Sequence, residues 1–415
     1  MPFAPTGQHA PPVGFGGGET LFAWAAKLKW KAAAGTYEKT YKAAVDARRE
    51  EWGLALAAET PYTWEAPPLT IMGYSPALCP PPTDWDKAKV YVVGSLVEGV
   101  RASTAEYEPP AELHAPLGLA GGGGGGKKPV VFTFGSSLGA LKRGEQATLL
   151  SACVRAAGDV GLGAIIFTAG CFGGKKKVAP EDEPLPEGWA KHLDDATGNY
   201  FYVTADGTTT WDPPPPAAAE DTPPPASLLD DAALGLLAAN PAVVLFDGDC
   251  PHDWLFPRAS AVCCHGGAGT VHACVAAGVP CVVSPCQVDD TDQAWWGGCV
   301  AKAGVGRLSQ PTASHKSGST LAKDLRAVLG LVEEKALEKE KAEGPAVAAK
   351  CQALAAALRA ESGAQGAARI VLAEAEKAVA AKGGRSAGAG AEATLLPAVG
   401  GLKLNYGENA KPAGW

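Results

Sequence analysis

Between Asp249 and Gly306 the chain reads strand, glycine turn, helix, strand and acidic-amide loop, and few folds accept that order at that spacing. Ala261-Val262-Cys263-Cys264 is a short apolar strand that feeds His265-Gly266-Gly267-Ala268-Gly269-Thr270. A helix is expected from about Thr270 to Ala277, then a second apolar strand at Cys281-Val282-Val283, then a loop ending in Asp292-Gln293. Such a turn builds an anion site. Its glycines let the backbone approach closely, and the first N–H groups of a helix have no partner within it. Tight strand–helix packing would also explain a Gly-Gly-Ala-Gly turn taken alone. Its place beside Pro251-His252-Asp253-Trp254-Leu255-Phe256-Pro257-Arg258, the second strand and the Asp-Gln loop favours the anion reading.

The rest of the chain extends this pattern on both sides. Pro129 to Phe134 reads as a buried strand running into Gly135-Ser136-Ser137, residues 144–158 as an apolar-periodic helix, and Gly163 to Thr168 as the next strand. Strands alternating with helices at this spacing predict a parallel α/β sheet. The pattern breaks at Gly173 and resumes at Ala242-Val243-Val244-Leu245-Phe246. Six consecutive glycines, Gly121 to Gly126, read as a flexible linker. Past Thr320 the chain is rich in Ala, Glu and Lys, with helices expected near 320–342 and 345–382, packed outside the sheet. The Gly- and Ala-rich residues 383–415 are expected to be largely disordered.

Composition removes several classes of function. With 36 basic against 44 acidic residues the net charge is −8, and the longest basic run is Lys175-Lys176-Lys177, so nucleic acid is not an expected partner. No apolar run approaches the ~20 residues that span a bilayer, and Met1 to Pro5 lacks the features of a signal peptide. A cytoplasmic chain is expected, with peripheral contact at membranes left open. The 11 cysteines lack CxxC spacing and read as small buried hydrophobes rather than disulfides or a metal site.

The block resembles the nucleotide-sugar signature of GT-B glycosyltransferases, and in particular UDP-glucose:sterol glucosyltransferases, which carry PHDWLFPR, HHGGAGT and GDQPFWG in this order. Met1 to Thr6 is similar to the family's MPWTPT, Gly73 to Leu78 and Pro82 to Trp85 to SPxLVPKPxDW, Glu108 to Leu113 to YEPPAEL, and Gly135-Ser136-Ser137 to FGS. The likeness covers about 1–174 and 240–330. It implies an α/β fold with a GT-B type, Rossmann-like donor domain (129–174 and 240–330). Residues 1–120 would be the tail of an N-terminal acceptor domain, 121–128 the linker and 331–382 the C-terminal helices. The family's N-terminal domain places a catalytic His upstream of MPWTPT, so the base is expected upstream of Met1. His9, in a Pro-rich loop, does not match that motif.

What the resemblance implies about roles follows the chemistry of a departing diphosphate, whose growing charge needs preorganised donors. Gly267, Gly269 and Thr270 supply them from the helix start, with Ser136 facing from the first loop and His265 donating to the same phosphates. Cys250 to Trp254, His252 among them, border the uracil. Asp292 and Gln293 match a clamp on the sugar hydroxyls, although three extra residues after Pro285 make Asp289 or Asp290 a substitute. Trp295-Trp296 reads as core rather than sugar platform. UDP-glucose is a substrate here, and no cofactor or metal is expected.

Within 183–216 lies a separate unit. Trp189, the aromatic run Gly198 to Val203 and Thr208 to Pro214 resemble a WW domain, which implies an all-β insert with Tyr202 and Trp211 lining a groove for a proline-rich peptide. Two functions remain. One is an inverting, metal-independent transfer of glucose from UDP-glucose to the 3-hydroxyl of a sterol or related lipid. The other is a catalytically dead donor half that binds nucleotide sugar, or proline-rich ligands through the WW unit.

Overall fold

The computed structural model describes residues 25–26, 28–32, 46–48, 50–51, 69–96, 107–119, 127–168, 189–193, 200–204, 208–210, 229–288, 291–331 and 343–381. The glycine linker, the tail 383–415, His9, Trp211, Asp289 and Asp290 lie outside them.

Six strands form one parallel sheet: β3 (Val130–Thr133), β4 (Ala164–Phe167), β8 (Val243–Phe246), β9 (Ala261–Cys264), β10 (Cys281–Val283) and β11 (Gly306–Leu308). Two further strands, β1 (Thr70–Met72) and β2 (Val90–Val92), pair in parallel by themselves, and β5 (Trp189–Leu193), β6 (Tyr200–Thr204) and β7 (Thr209–Thr210) make an antiparallel sheet. The large sheet runs β8-β4-β3-β9-β10-β11. Numbered within this unit, that is the 3-2-1-4-5-6 order of doubly wound dinucleotide-binding folds.

Strands β3, β4, β8, β9 and β10 are largely apolar because both faces are covered, whereas the edge strand β11, Gly306-Arg307-Leu308, is only partly buried. Alternate residues point to opposite sides: Val130, Phe132, Ala261 and Cys263 enter one core, and Val131, Ile165, Val262 and Cys264 the other. The first core is closed by α1 (Arg143–Val160), α2 (Asp231–Ala239) and α6 (Ser319–Leu329). The second is closed by α3 (His252–Leu255), α4 (Ala268–Ala277), α5 (Gln293–Ala303) and α7 (Glu343–Arg359). Met72, Tyr74, Leu78, Trp85 and Val90 of the β1–β2 region join this second core. The chain winds on one face from β3 to β8 and on the other from β9 to β11. The switch falls between β3 and β9, where crevices for ligands open at the carboxyl ends of strands.

Three expectations about helices need correction. The helix expected near 320–342 ends at Leu329, capped by Gly330 at φ +67°. The helix after the glycine turn begins at Ala268, two residues early, because Gly267 (φ −62°, ψ 140°) is its extended cap. The helix expected over 345–382 is two helices, α7 and α8 (Gly363–Ala381), broken at 360–362. There the Glu361 N–H makes a 3-10 bond to Leu358 O while its carboxylate accepts Ser95 N–H, and the Gly363 N–H turns to Val93 O instead of continuing the ladder. As expected, α7 packs on the outer layer, and nine of the ten described cysteines are buried free thiols. No described helix is long and apolar enough to cross a membrane.

Candidate functional site

Both loops at the switch point carry glycine, and both lie against one histidine. The turn after β3 is a 3-10 turn, Gly135–Ser137, entered at φ +53°. A Cβ on Gly135 would lie 3.2 Å from His265 Cε1, and one on Gly267 would lie 2.5 Å from His265 Nε2. The imidazole therefore lies against the backbones of both turns, and both positions exclude a side chain to admit it. Gly266 sits at φ +93°, where a Cβ would come within 2.6 Å of Val283 and 2.7 Å of the Gln293 carbonyl. Only glycine fits.

Helix α4 leaves its first donors unspent. Val271 N–H is the first to reach a carbonyl, that of Gly267 at 3.0 Å, so those of Ala268, Gly269 and Thr270 face out of the helix end. Above Gly269 there is open space, with nothing within 4 Å of where a Cβ would stand. Burial lowers the His265 pKa, partly opposed by Cys264, the Thr133 backbone and Asp292, so the ring is neutral near pH 7. Its Nδ1 is buried without a hydrogen bond of good geometry. Ser136 is exposed at the β3 end of the crevice. Ser136, His265, Gly267, Gly269 and Thr270 thus all occur on the two switch-point loops.

The loop after β10 is built differently. Gln293 is buried, and its carbonyl oxygen accepts Cys286 N–H (2.8 Å) and Gln287 N–H (3.1 Å). Its amide donates to Ser137 Oγ at 3.1 Å, across to the first loop. In this structure Gln293 is engaged within the protein, on Cys286, Gln287 and Ser137. Gln293 ties the two ends of the extra residues together and pins them to β3. Asp292 Oδ2 accepts the Trp296 indole N–H at 2.8 Å, and Trp296 is core, as its sequence context suggested. The second Asp292 oxygen keeps an acceptor role open.

His252 opens α3 after Pro251, stacked on Phe256 at 4.4 Å, and burial lowers its pKa too. Trp254 is a core residue, held edge-on by Tyr107 (4.9 Å) and capped by the Arg258 guanidinium at 4.2 Å. Tyr107 also donates to Asp249 O. Two motifs read separately in the sequence, Glu108 to Leu113 and Pro251 to Arg258, are therefore packed together through their flanking aromatics. Sequence reasoning gave no role to Ser137, inside the marked Gly135-Ser136-Ser137, or to Tyr107, beside the marked Glu108 to Leu113. Of the other histidines, His114 has Nε2 3.1 Å from Pro109 O, while His272 and His315 are buried. Tyr202 lies on β6, opposite Lys191 and Thr210.

Over 97 residues (23% of the chain) the sequence is 41% identical to a sterol 3-beta-glucosyltransferase of Arabidopsis thaliana. It is 35% identical over 111 residues (26% of the chain) to the one of Saccharomyces cerevisiae, and 53% identical over 45 residues (11% of the chain) to that of Eremothecium gossypii. The chain resembles sterol 3-beta-glucosyltransferases. The matched stretches span 15%, 9% and 4% of these relatives' own lengths. No protein-family profile matches the chain. Among solved structures, the glycosyltransferase of kitacinnamycin superposes with a TM-score of 0.47 at 17% identity, covering 84% of this chain and 66% of that one. The calicheamicin glycosyltransferase does so at 0.43 and 17%, covering 81% and 60%.

Proposed function

We propose that this chain supplies the donor-binding half of a GT-B type glycosyltransferase that moves glucose from UDP-glucose to the 3-hydroxyl of a sterol or related lipid. One observation carries the reading: the turns of β3 and β9 converge on His265 at the switch point, beside an α4 start whose N–H groups are unspent. A diphosphate is the ligand whose charge and size suit that combination. In an inverting transfer the acceptor oxygen attacks the anomeric carbon from the face opposite UDP, and its proton leaves to a base. As the glycosyl bond breaks, charge grows on the diphosphate. The α4 N–H groups, the Thr270 hydroxyl and the neutral His265 ring can stabilise it without a metal. Asp292, with one oxygen unspent, is the acceptor suited to a sugar hydroxyl.

Calorimetry on the full chain tests this. UDP and UDP-glucose should both bind, and His265→Ala and Thr270→Ala should each weaken binding by about 1.5–3 kcal/mol, the worth of one charge-assisted bond. A folded chain that binds neither ligand would overturn the reading. The second reading, a binding module for proline-rich ligands, is favoured by the separate antiparallel β5–β6–β7 sheet, which presents Tyr202 on its central strand. A proline-rich peptide titrated against the chain and against Tyr202→Ala tests it. Equal affinities would remove Tyr202 from the groove.

A further inference from the structure

Three segments distant in sequence meet behind α4. Ser75 N–H donates to His272 Nε2 at 3.1 Å, and Ser75 Oγ donates to Glu361 Oε1 at 2.6 Å. The other Glu361 oxygen accepts Ser95 N–H at 2.9 Å, and Gly363 N–H reaches Val93 O at 2.9 Å. On its other edge His272 has Nδ1 2.7 Å from the carbonyl of Ala268, the first residue of α4. An Nε2 that accepts an amide proton carries none of its own, so the proton sits on Nδ1 and is donated to Ala268. Ser75 and His272 are 0% and 3% exposed. The ring also meets Trp296 edge-on at 5.0 Å, and Trp296 in turn holds Asp292.

We propose that His272 is a positioning residue: as the neutral Nδ1–H tautomer it fixes the first turn of α4 to the 69–96 segment, and protonation releases that hold. It is not a catalytic base, since both nitrogens are engaged and the ring is buried. A proton on Nε2 would set a donor against the Ser75 N–H, leaving two buried donors face to face.

The surrounding charges bear this out. Burial lowers the His272 pKa from 6.5, and Glu361 opposes it as the charged neighbour that favours protonation. From α5, Asp292 is bonded to Trp296, and Lys302 acts on the Cys79–Cys299 pair. From α7, Arg359 donates to Ala276 O. Beside α3, Arg258 lies over Trp254, while Asp253 acts on His252 and Cys250. Burial pushes the Tyr74 phenol up, so it stays uncharged. The sign follows from linkage. A histidine with a depressed folded pKa gives its full contribution above the ordinary value and loses it as pH falls from there through the lowered one. His252, His265 and His315 are lowered as well, so global acid stability cannot single out His272, whereas a local probe can.

The test is hydrogen exchange on the full chain between about pH 7.5 and about pH 5, corrected for intrinsic exchange rates. In the wild type, protection at Ser75 and Ser95 should fall by up to about tenfold per unit of pH as pH drops from the ordinary histidine value towards the lowered one, and level off below it. His272→Gln keeps an acceptor and cannot protonate, so it should hold protection flat with pH. His272→Leu should lose it throughout. Ring ¹⁵N shifts should report Nδ1–H near neutral pH, a readout available even if the Leu variant does not fold. A pH response in His272→Gln equal to that of the wild type, or an Nε2–H tautomer, would overturn the proposal. The consequence that UDP binding weakens on release rests on the donor reading above. The exchange does not, so a chain that binds no UDP yet shows this response breaks only that reading.

Discussion

The two loops on the second core side of the switch point are opposites. In the turn after β9, polar groups are unspent: three helix N–H groups face outward, His265 Nδ1 lacks a good bond, and the space above Gly269 is open. In the loop after β10 they are consumed internally, with Gln293 bonded to Cys286, Gln287 and Ser137, and Asp292 to Trp296. Satisfied polar groups make a scaffold, and unsatisfied ones at a helix start need an outside acceptor. This comparison supports the proposal that the first loop binds charge. The second is a scaffold, tied through Gln293 to Ser137 of the first turn.

The harshest way to break the comparison is Gly266→Ala, because this residue of the first loop lies against the Gln293 backbone of the second. Its φ of +93° strains any other residue, and the new methyl would strike Val283 and the Gln293 backbone. Strain and overpacking together should cost about 2–5 kcal/mol of folding stability, measured by denaturant unfolding, with UDP binding lost. A stable variant that still binds UDP would mean the two loops do not depend on this contact.

Gln293→Ala should do less, and in a way that tells scaffold from ligand. Removing the side chain leaves Cys286 and Gln287 N–H groups without their acceptor, at about 1–3 kcal/mol for each that stays dry. UDP and UDP-glucose affinities should fall together, since the loop shifts as a whole. Asp292→Ala should instead weaken UDP-glucose more than UDP. A Gln293→Ala protein of unchanged stability that loses only UDP-glucose would reverse the assignment and make Gln293 the sugar ligand.

Much of this was readable in the sequence because it is local. Apolar strands bounded by glycine gave β3, β4, β8, β9 and β10, and their alternation with helices gave the parallel sheet. The close backbone approach in the glycine turn was readable too, since it is a property of those residues. Partners distant in sequence were not readable. That Gln293 bonds Ser137 could not be read from the sequence, since the two lie 156 residues apart. The helix expected over 345–382 breaks at 360–362, where the Gly363 N–H bonds Val93 O of a segment 270 residues away and Glu361 accepts from Ser75 and Ser95. A one-dimensional pattern carries no record of such competition.

The smallest structural change tests the open side of the comparison. Gly269 is the second residue of α4, exposed, with no positive φ and nothing within 4 Å of its missing Cβ. Packing does not require glycine there, and in a helix glycine is less stable than alanine by about 0.5–1 kcal/mol. Gly269→Ala should therefore leave stability unchanged or raise it by up to about 1 kcal/mol. If a diphosphate rests against this helix end, the added methyl occupies part of its place. UDP affinity should then drop about tenfold, or about 1.4 kcal/mol, while folding improves. Opposite signs in the two measurements would separate binding from stability at a single atom. A variant that is more stable and binds UDP as well as the parent would show that the space above Gly269 is empty in the complex, and the diphosphate would have to sit nearer Ser136 and His265.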